Sequence, residues 1–255
     1  LGVVNRWHKH GLDQFDFPLM ITEPFGGAGL NQTGLSLDWL MPSLWAHENA
    51  VVLQITNGEN DKAFSGEAFS IPTTLLRLRS YWDLSRDTYL DLGFTGVFGM
   101  NNGRGTSPEP SPGVAGGSGL GTLTLALDEH GDDTGLGGLG ALEAGGALVN
   151  EAWRTSSFGG FDLTLAWEPV DRAKYAGVVW RSEGLYARME LPNDQTITSL
   201  GGYSALDVKV ARNWVLGARG DIAEPFVVDN SGHILWQVAP YVTWWQSPWV
   251  RLHLE

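Results

Sequence analysis

The stretch from His233 to Glu255, HILWQVAPYVTWWQSPWVRLHLE, constrains the fold more than any other part of the chain. Two alternating runs flank a short break at Gln246, Ser247 and Pro248. One residue set is apolar: Ile234, Trp236, Val238, Pro240, Val242 and Trp244, then Val250, Leu252 and Leu254. The other carries Gln237, Ala239, Tyr241 and Thr243, then Arg251, His253 and Glu255. An oily face and a polar face at a period of two describe a strand, not a helix. Each run is about 8–12 residues, the length of a tilted strand that crosses a bilayer. A half-buried soluble sheet gives the same alternation, so recurrence and the placement of tryptophan have to separate the two.

The pattern recurs. Leu35, Leu37 and Trp39 oppose Gly34, Ser36 and Asp38, and Val51, Leu53 and Ile55 return against Val52, Gln54 and Thr56. Leu76, Leu78 and Trp82 oppose Arg77, Arg79 and Tyr81, followed by Leu90, Leu92 and Phe94 against Asp91, Gly93 and Thr95. A third hairpin sets Phe161, Leu163, Leu165 and Trp167 against Asp162 and Thr164 and returns through Val178 and Trp180. There the apolar parity changes at Leu185, Ala187 and Met189, which predicts a bulge in Arg181 to Gly184. A fourth pairs Leu206, Val208 and Val210 with Trp214, Leu216, Ala218 and Ile222, leaving Lys209, Arg219 and Asp221 on the polar face. Residues 1–30 read as a long loop, and Asn57 to Ile71, Asn101 to about Ser157, Ser182 to Ile197 and Glu224 to Gly232 as long polar connections.

These long connections alternate with short turns, and eight of the 12 tryptophans (Trp39, Trp45, Trp82, Trp167, Trp214, Trp244, Trp245 and Trp249) lie in or near the short turns. A sandwich core gives no reason to gather them at one end. A bilayer does, because amphipathic rings settle at the headgroup level. No run of about 18 apolar residues exists, so a membrane role requires a β-barrel. The expected fold is therefore all-β, a transmembrane antiparallel up-and-down barrel with at least ten strands, short periplasmic turns and long extracellular loops.

Residues 1–255 are expected to form a single barrel domain, cut at both ends, with residues 101–150 as a Gly-rich extracellular loop insertion. A net charge of −13 argues against nucleic acid as a partner, and the absence of cysteine removes disulfides and thiolate metal sites.

Several segments resemble a known family: GVVNRWHKHGLDQFDFP at 2–18, QTGLSLDWLMP at 32–42, YWDLSRDTYLDLG at 81–93, FDLTLAWEPVDRAKY at 161–175 and GGYSALDVKVARNWVLGARGD at 201–221. They are similar to Gram-negative outer-membrane β-barrels described as porin-like or zinc-regulated outer-membrane receptors, themselves distantly similar to phosphate-selective porins. The resemblance covers most of the chain outside residues 101–150. It implies location in the outer membrane, contact with lipid and lipopolysaccharide, and homo-oligomers such as the trimers of phosphate-type porins. These are strand and turn motifs, which speak to fold and location more than to activity.

Candidate functional residues fall into two groups. The polar face brings Arg77, Arg79, Lys209, Arg219 and Arg251 beside Asp91 and Asp221, and rings of such charges set selectivity in a pore. Mixed charges can equally close a lumen through ion pairs. The second group, His8, His10, Asp13 and Asp16, has ligand-like spacing for a divalent metal in the first loop, or serves to satisfy backbone groups there. Acidic loop residues such as Glu59 and Asp61 suit Ca²⁺ bridges to lipopolysaccharide or a solvated surface. No GxSxG or HExxH motif occurs, and no enzyme activity is expected. The expected function is a channel for passive diffusion of small hydrophilic solutes or ions. The alternative is a non-conducting structural or binding barrel (adhesin, receptor or scaffold) that acts through its acidic loops.

Overall fold

The computed structural model describes residues 2, 16–64, 71–102, 153–191, 194–230, 232–247 and 250–255. The chain divides into two units, Leu1–Thr106 with Ala152–Glu255, and Ser107–Glu151. The second, with most of the Gly-rich stretch, lies outside the described residues.

Among the described residues alternation becomes one antiparallel sheet of ten strands in sequential order. They are β1 (Gly34–Met41), β2 (Glu48–Thr56), β3 (Thr73–Ser85), β4 (Thr88–Asn101), β5 (Arg154–Trp167), β6 (Gly177–Glu190), β7 (Thr196–Ala211), β8 (Trp214–Ala223), β9 (Leu235–Ser247) and β10 (Val250–Leu254). Every strand pairs with its neighbours in sequence, the up-and-down order expected when each hairpin buries its own backbone groups locally. Register shifts occur near three hairpin turns, at Asp83/Ser85, Lys209/Ala211 and Val250/Arg251.

The two faces differ. One set of side chains is exposed and apolar from β1 to β10, with Leu35 82%, Phe94 59% and Trp236 75% accessible. The other is largely buried, and it is mixed: Arg77, Asp162, Glu183 and Arg219 lie on it together with Val97, Phe158, Leu185 and Met189. A polar face that is buried while an oily face is exposed reverses the usual arrangement of a sheet in water.

Three expectations are corrected. The first concerns Arg181 to Gly184, where β6 keeps an unbroken register with both β5 and β7, so no bulge is present. Leu185, Ala187 and Met189 change parity because the packed face itself becomes apolar toward the end of β6. Second, the connection expected over Ser182 to Ile197 is strand for most of its length and shrinks to 191–195, so the short-and-long alternation fails there. Third, the segment read as a loop through residue 30 contains a helix, α1 (Leu19–Phe25).

This helix is short and has a defined stop. The N–H groups of Ile21 and Thr22 both donate to the Pro18 carbonyl, at 2.9 and 3.1 Å. Pro24 supplies no donor for another turn, and the N–H of Gly26, at φ 83°, closes the end on the Thr22 carbonyl at 2.9 Å. Met20, Ile21 and Phe25 are buried with Phe17 against the packed face, where α1 lies on β6, β7, β8 and β9. At about 1.5–3 kcal/mol for each fully buried side chain of this size, burial and not helix propensity holds so short an element.

Candidate functional site

The packed face is ordered in rows, because register carries one residue type across several strands. One row runs Arg79, Gly93, Asp162, Glu183, Tyr203, Asp221, Gln237 from β3 to β9. The next row toward the short turns runs Tyr81, Asp91, Thr164, Arg181, Ala205, Arg219, Ala239. Between β5 and β8 this makes an acidic belt of Asp162, Glu183 and Asp221 beside a basic pair, Arg181 and Arg219. In the other direction comes a row of small residues, Gly160, Gly201 and Ala223, broken by Leu185, and then the apolar row Leu75, Val97, Phe158, Ala187.

The arginines of these rows meet carboxylates. Arg77 donates two bonds to Asp162, Nη1 to Oδ2 and Nη2 to Oδ1, both 2.7 Å, and a third to the Thr95 hydroxyl at 3.1 Å. Gly93 makes room for that pair, since a Cβ there would lie 2.3 Å from Asp162 Oδ2 and 2.5 Å from Arg77 Nη2. Arg79 pairs with Asp91 through Nε at 2.8 and 3.0 Å. Arg181 bonds Asp207, whose other oxygen accepts from the Tyr241 hydroxyl. The Tyr241 ring lies where a side chain on Gly217 would stand. Arg219 pairs with Asp221 at 3.0 Å and also donates to the Asp16 carbonyl at 2.9 Å, which ties the approach to α1 onto β8. Glu183 accepts from the Tyr203 hydroxyl at 2.8 Å, and Gly2, at φ 55°, lies against the same carboxylate. Beyond them, the Thr243 hydroxyl and His253 Nδ1 share a bond of 2.8 Å, and the His253 ring lies tilted against that of Tyr241 with centroids 5.3 Å apart.

The pairs are not equally accessible. Arg77 and Asp162 are 4% and 2% exposed, and Arg219 and Asp221 1% and 0%, whereas Arg79 and Asp91 are 40% and 15% exposed. Of these three pairs, Arg79 with Asp91 is the accessible one. Arg77, whose guanidinium is spent on Asp162, acts as a cross-strand tie. Lys209 donates to the Ala173 carbonyl at 3.0 Å and so fastens the turn between β5 and β6. Arg251 lies over the Trp245 ring at 5.6 Å, a cation–π contact near the last turn.

Of the candidate metal residues only Asp16 is described, and its carbonyl is taken by Arg219; His8, His10 and Asp13 lie outside the described residues. Among the described residues no cluster of three or more His, Asp or Glu could hold a metal. Glu59 is engaged locally, accepting from the Asn57 amide at 3.0 Å.

Sequence placed Arg77, Arg79, Asp91, Arg219 and Asp221 on one face but gave Arg77 no particular partner, because the Asp162 that binds it is 85 residues away. An expected bulge in Arg181 to Gly184 hides the roles of Arg181 and Glu183, and with Glu183 the partner of the Tyr203 hydroxyl. Strict alternation continued through β6 would have put Arg181 and Glu183 in the belts. Comparison of the chain with protein-family models, with curated proteins and with solved structures finds no match.

Proposed function

We propose that this sheet is wall of a transmembrane β-barrel in the outer membrane of a Gram-negative bacterium, and that the barrel is a porin-like channel for passive diffusion of small hydrophilic solutes or ions. The observation that carries the reading is the inversion of the two faces. Large apolar side chains cover the exposed face on every strand, among them Leu37, Leu53, Leu78, Phe94, Phe161, Trp180, Leu206, Leu216, Val238 and Leu252, while charges occupy the packed one. A patch of that extent costs too much to leave in water, whereas hydrocarbon requires it. Tryptophans support the same orientation. Trp39, Trp82, Trp167, Trp180, Trp214 and Trp244 all sit toward the short-turn ends of their strands, and Trp214 stacks on Trp244 at 6.0 Å. An interfacial girdle at the periplasmic side has this composition and position. The strand and turn motifs similar to porin-like barrels point the same way.

Arg79 and Asp91 are the residues on which ion preference rests in this reading. Lipid, lipopolysaccharide and further copies of the chain are the partners such a wall implies. A non-conducting structural or binding barrel remains the second reading. It is favoured by one observation, that Arg77–Asp162 and Arg219–Asp221 are sequestered pairs of the kind that cross-link a filled interior.

Planar-bilayer recording separates the two. The channel reading expects discrete conductance steps, with a reversal potential in a salt gradient that moves toward cations when Arg79 is changed to Ser. Silence from protein shown to be folded and inserted would leave the second reading.

A further inference from the structure

The apolar half of the packed face is at odds with a wall built for polar solutes. Left open, Val97, Phe158, Leu185, Ala187, Met189 and Ile197 would present a continuous oily surface to water inside the channel. They do not, because α1 covers the part on β6 and β7, with Ile21 1% exposed and Phe25 packed on Phe158 with ring centroids 4.8 Å apart, while Phe64 and Phe226 close over Phe158 from the flanking connections at 5.6 and 6.3 Å. The sheet also makes room for the helix. A Cβ on Gly201 would lie 2.9 Å from the Met20 Cβ and 3.1 Å from its Cα, so α1 rests directly on backbone at that point of the small-residue row. Tethers run from both sides. Arg219 holds the Asp16 carbonyl, the Asn60 amide holds the Phe25 carbonyl at 3.1 Å, Lys62 reaches the Glu23 carbonyl at 3.4 Å, and Glu23 accepts from the Phe226 N–H at 3.3 Å.

Size decides what this does. A helix with its side chains is about 10–12 Å across. The interior of a barrel of about eight strands is filled by side chains alone, and barrels of about 16–18 strands leave an aqueous channel. A body of that diameter seated on one wall therefore removes a large share of any lumen that these ten strands help to enclose.

We propose that α1 is the built-in constriction of the channel. It blocks the apolar half of the packed face and confines hydrated ions and small polar solutes to the charged half, where the accessible pair is Arg79 with Asp91. This rests on the channel reading given above.

The test uses the intact chain in liposomes and planar bilayers. Two variants unseat α1 by independent means: Ile21→Asp puts a carboxylate into the apolar contact, and Gly201→Leu fills the space under Met20. Each is made alone and with Ala187→Cys, which is the sole thiol because the chain has no cysteine. Circular dichroism in liposomes checks that the sheet is retained. Expected is faster modification of Cys at position 187 by a water-soluble thiol reagent, together with conductance raised about twofold or more and passage of larger polyethylene glycols. Faster modification with unchanged conductance and cut-off would overturn the constriction while leaving the channel intact. So would unchanged modification in both variants, since α1 would then not be what covers the apolar half. If position 187 opens but neither the unaltered protein nor any variant conducts, the channel reading falls and the constriction falls with it.

Discussion

At the scale of single residues, the glycines of the packed face show how side-chain placement was achieved. Gly93 is small because Arg77 and Asp162 occupy the space above it. Gly93→Val should therefore break that pair, while Gly159→Ala on the exposed face, where a Cβ meets nothing within 4 Å, should be close to neutral. Removing one partner of the pair outright leaves a buried charge. Asp162→Asn is expected to destabilise by about 3–5 kcal/mol, and the double change Arg77→Met with Asp162→Leu to recover much of that loss. Urea unfolding of liposome-inserted protein, followed by tryptophan fluorescence, measures all four. Equal midpoints for Asp162→Asn and the double variant would mean that the charges are not isolated from water as described.

At the scale of elements, strand identity was legible in the sequence and strand length was not. The hairpins around Tyr81 to Gly93 and Gly201 to Asp221 could be read because one face alternates without interruption, and both fall within β3 and β4 or β7 and β8. Strands β5 and β6 were read short at their ends away from the turn. Arg154 to Gly160 is a Ser- and Gly-rich run with the appearance of a loop, and the end of β6 switches apolar parity because α1 covers its packed face. A helix that supplies the missing half of a contact cannot be inferred from the strand it contacts. It was equally hidden in its own sequence, LMITEPF, which is too short for a period and carries a proline. The exposed face makes its own prediction. Phe94→Arg near the middle of β4 should cost about 2–4 kcal/mol of folding free energy in a bilayer, and Trp39→Arg near the turn end of β1 about 0–1 kcal/mol. Titration of folding in liposomes checks the contrast, and equal costs would argue against a bilayer with its midplane at Phe94.

For the molecule as a whole, the charge rows mattered more than the charge total. A net −13 says little about a sheet face on which Arg77, Arg79, Arg181 and Arg219 each have a carboxylate partner. In the proposed channel, selectivity depends on which pair is accessible, and that follows from register and burial. The candidate site was thus half visible: its residue types and their face could be read by alternation, but the pairing of Arg77 with Asp162, the burial of Arg219 and the covering helix all depend on contacts between distant segments. A membrane-spanning wall requires the exposed face to meet lipid while the packed face does not. Spin labels placed one at a time along β4 test this most directly, in liposomes, with oxygen and a water-soluble nickel chelate as relaxing agents. Labels at Leu90, Leu92, Phe94 and Phe98 should be relaxed by oxygen and shielded from the chelate, and labels at Asp91, Thr95 and Val97 should not share that preference, giving a period of two. Chelate access at Leu92, Phe94 and Phe98 in protein that is folded in the liposomes would place that face in water and contradict the membrane-spanning wall.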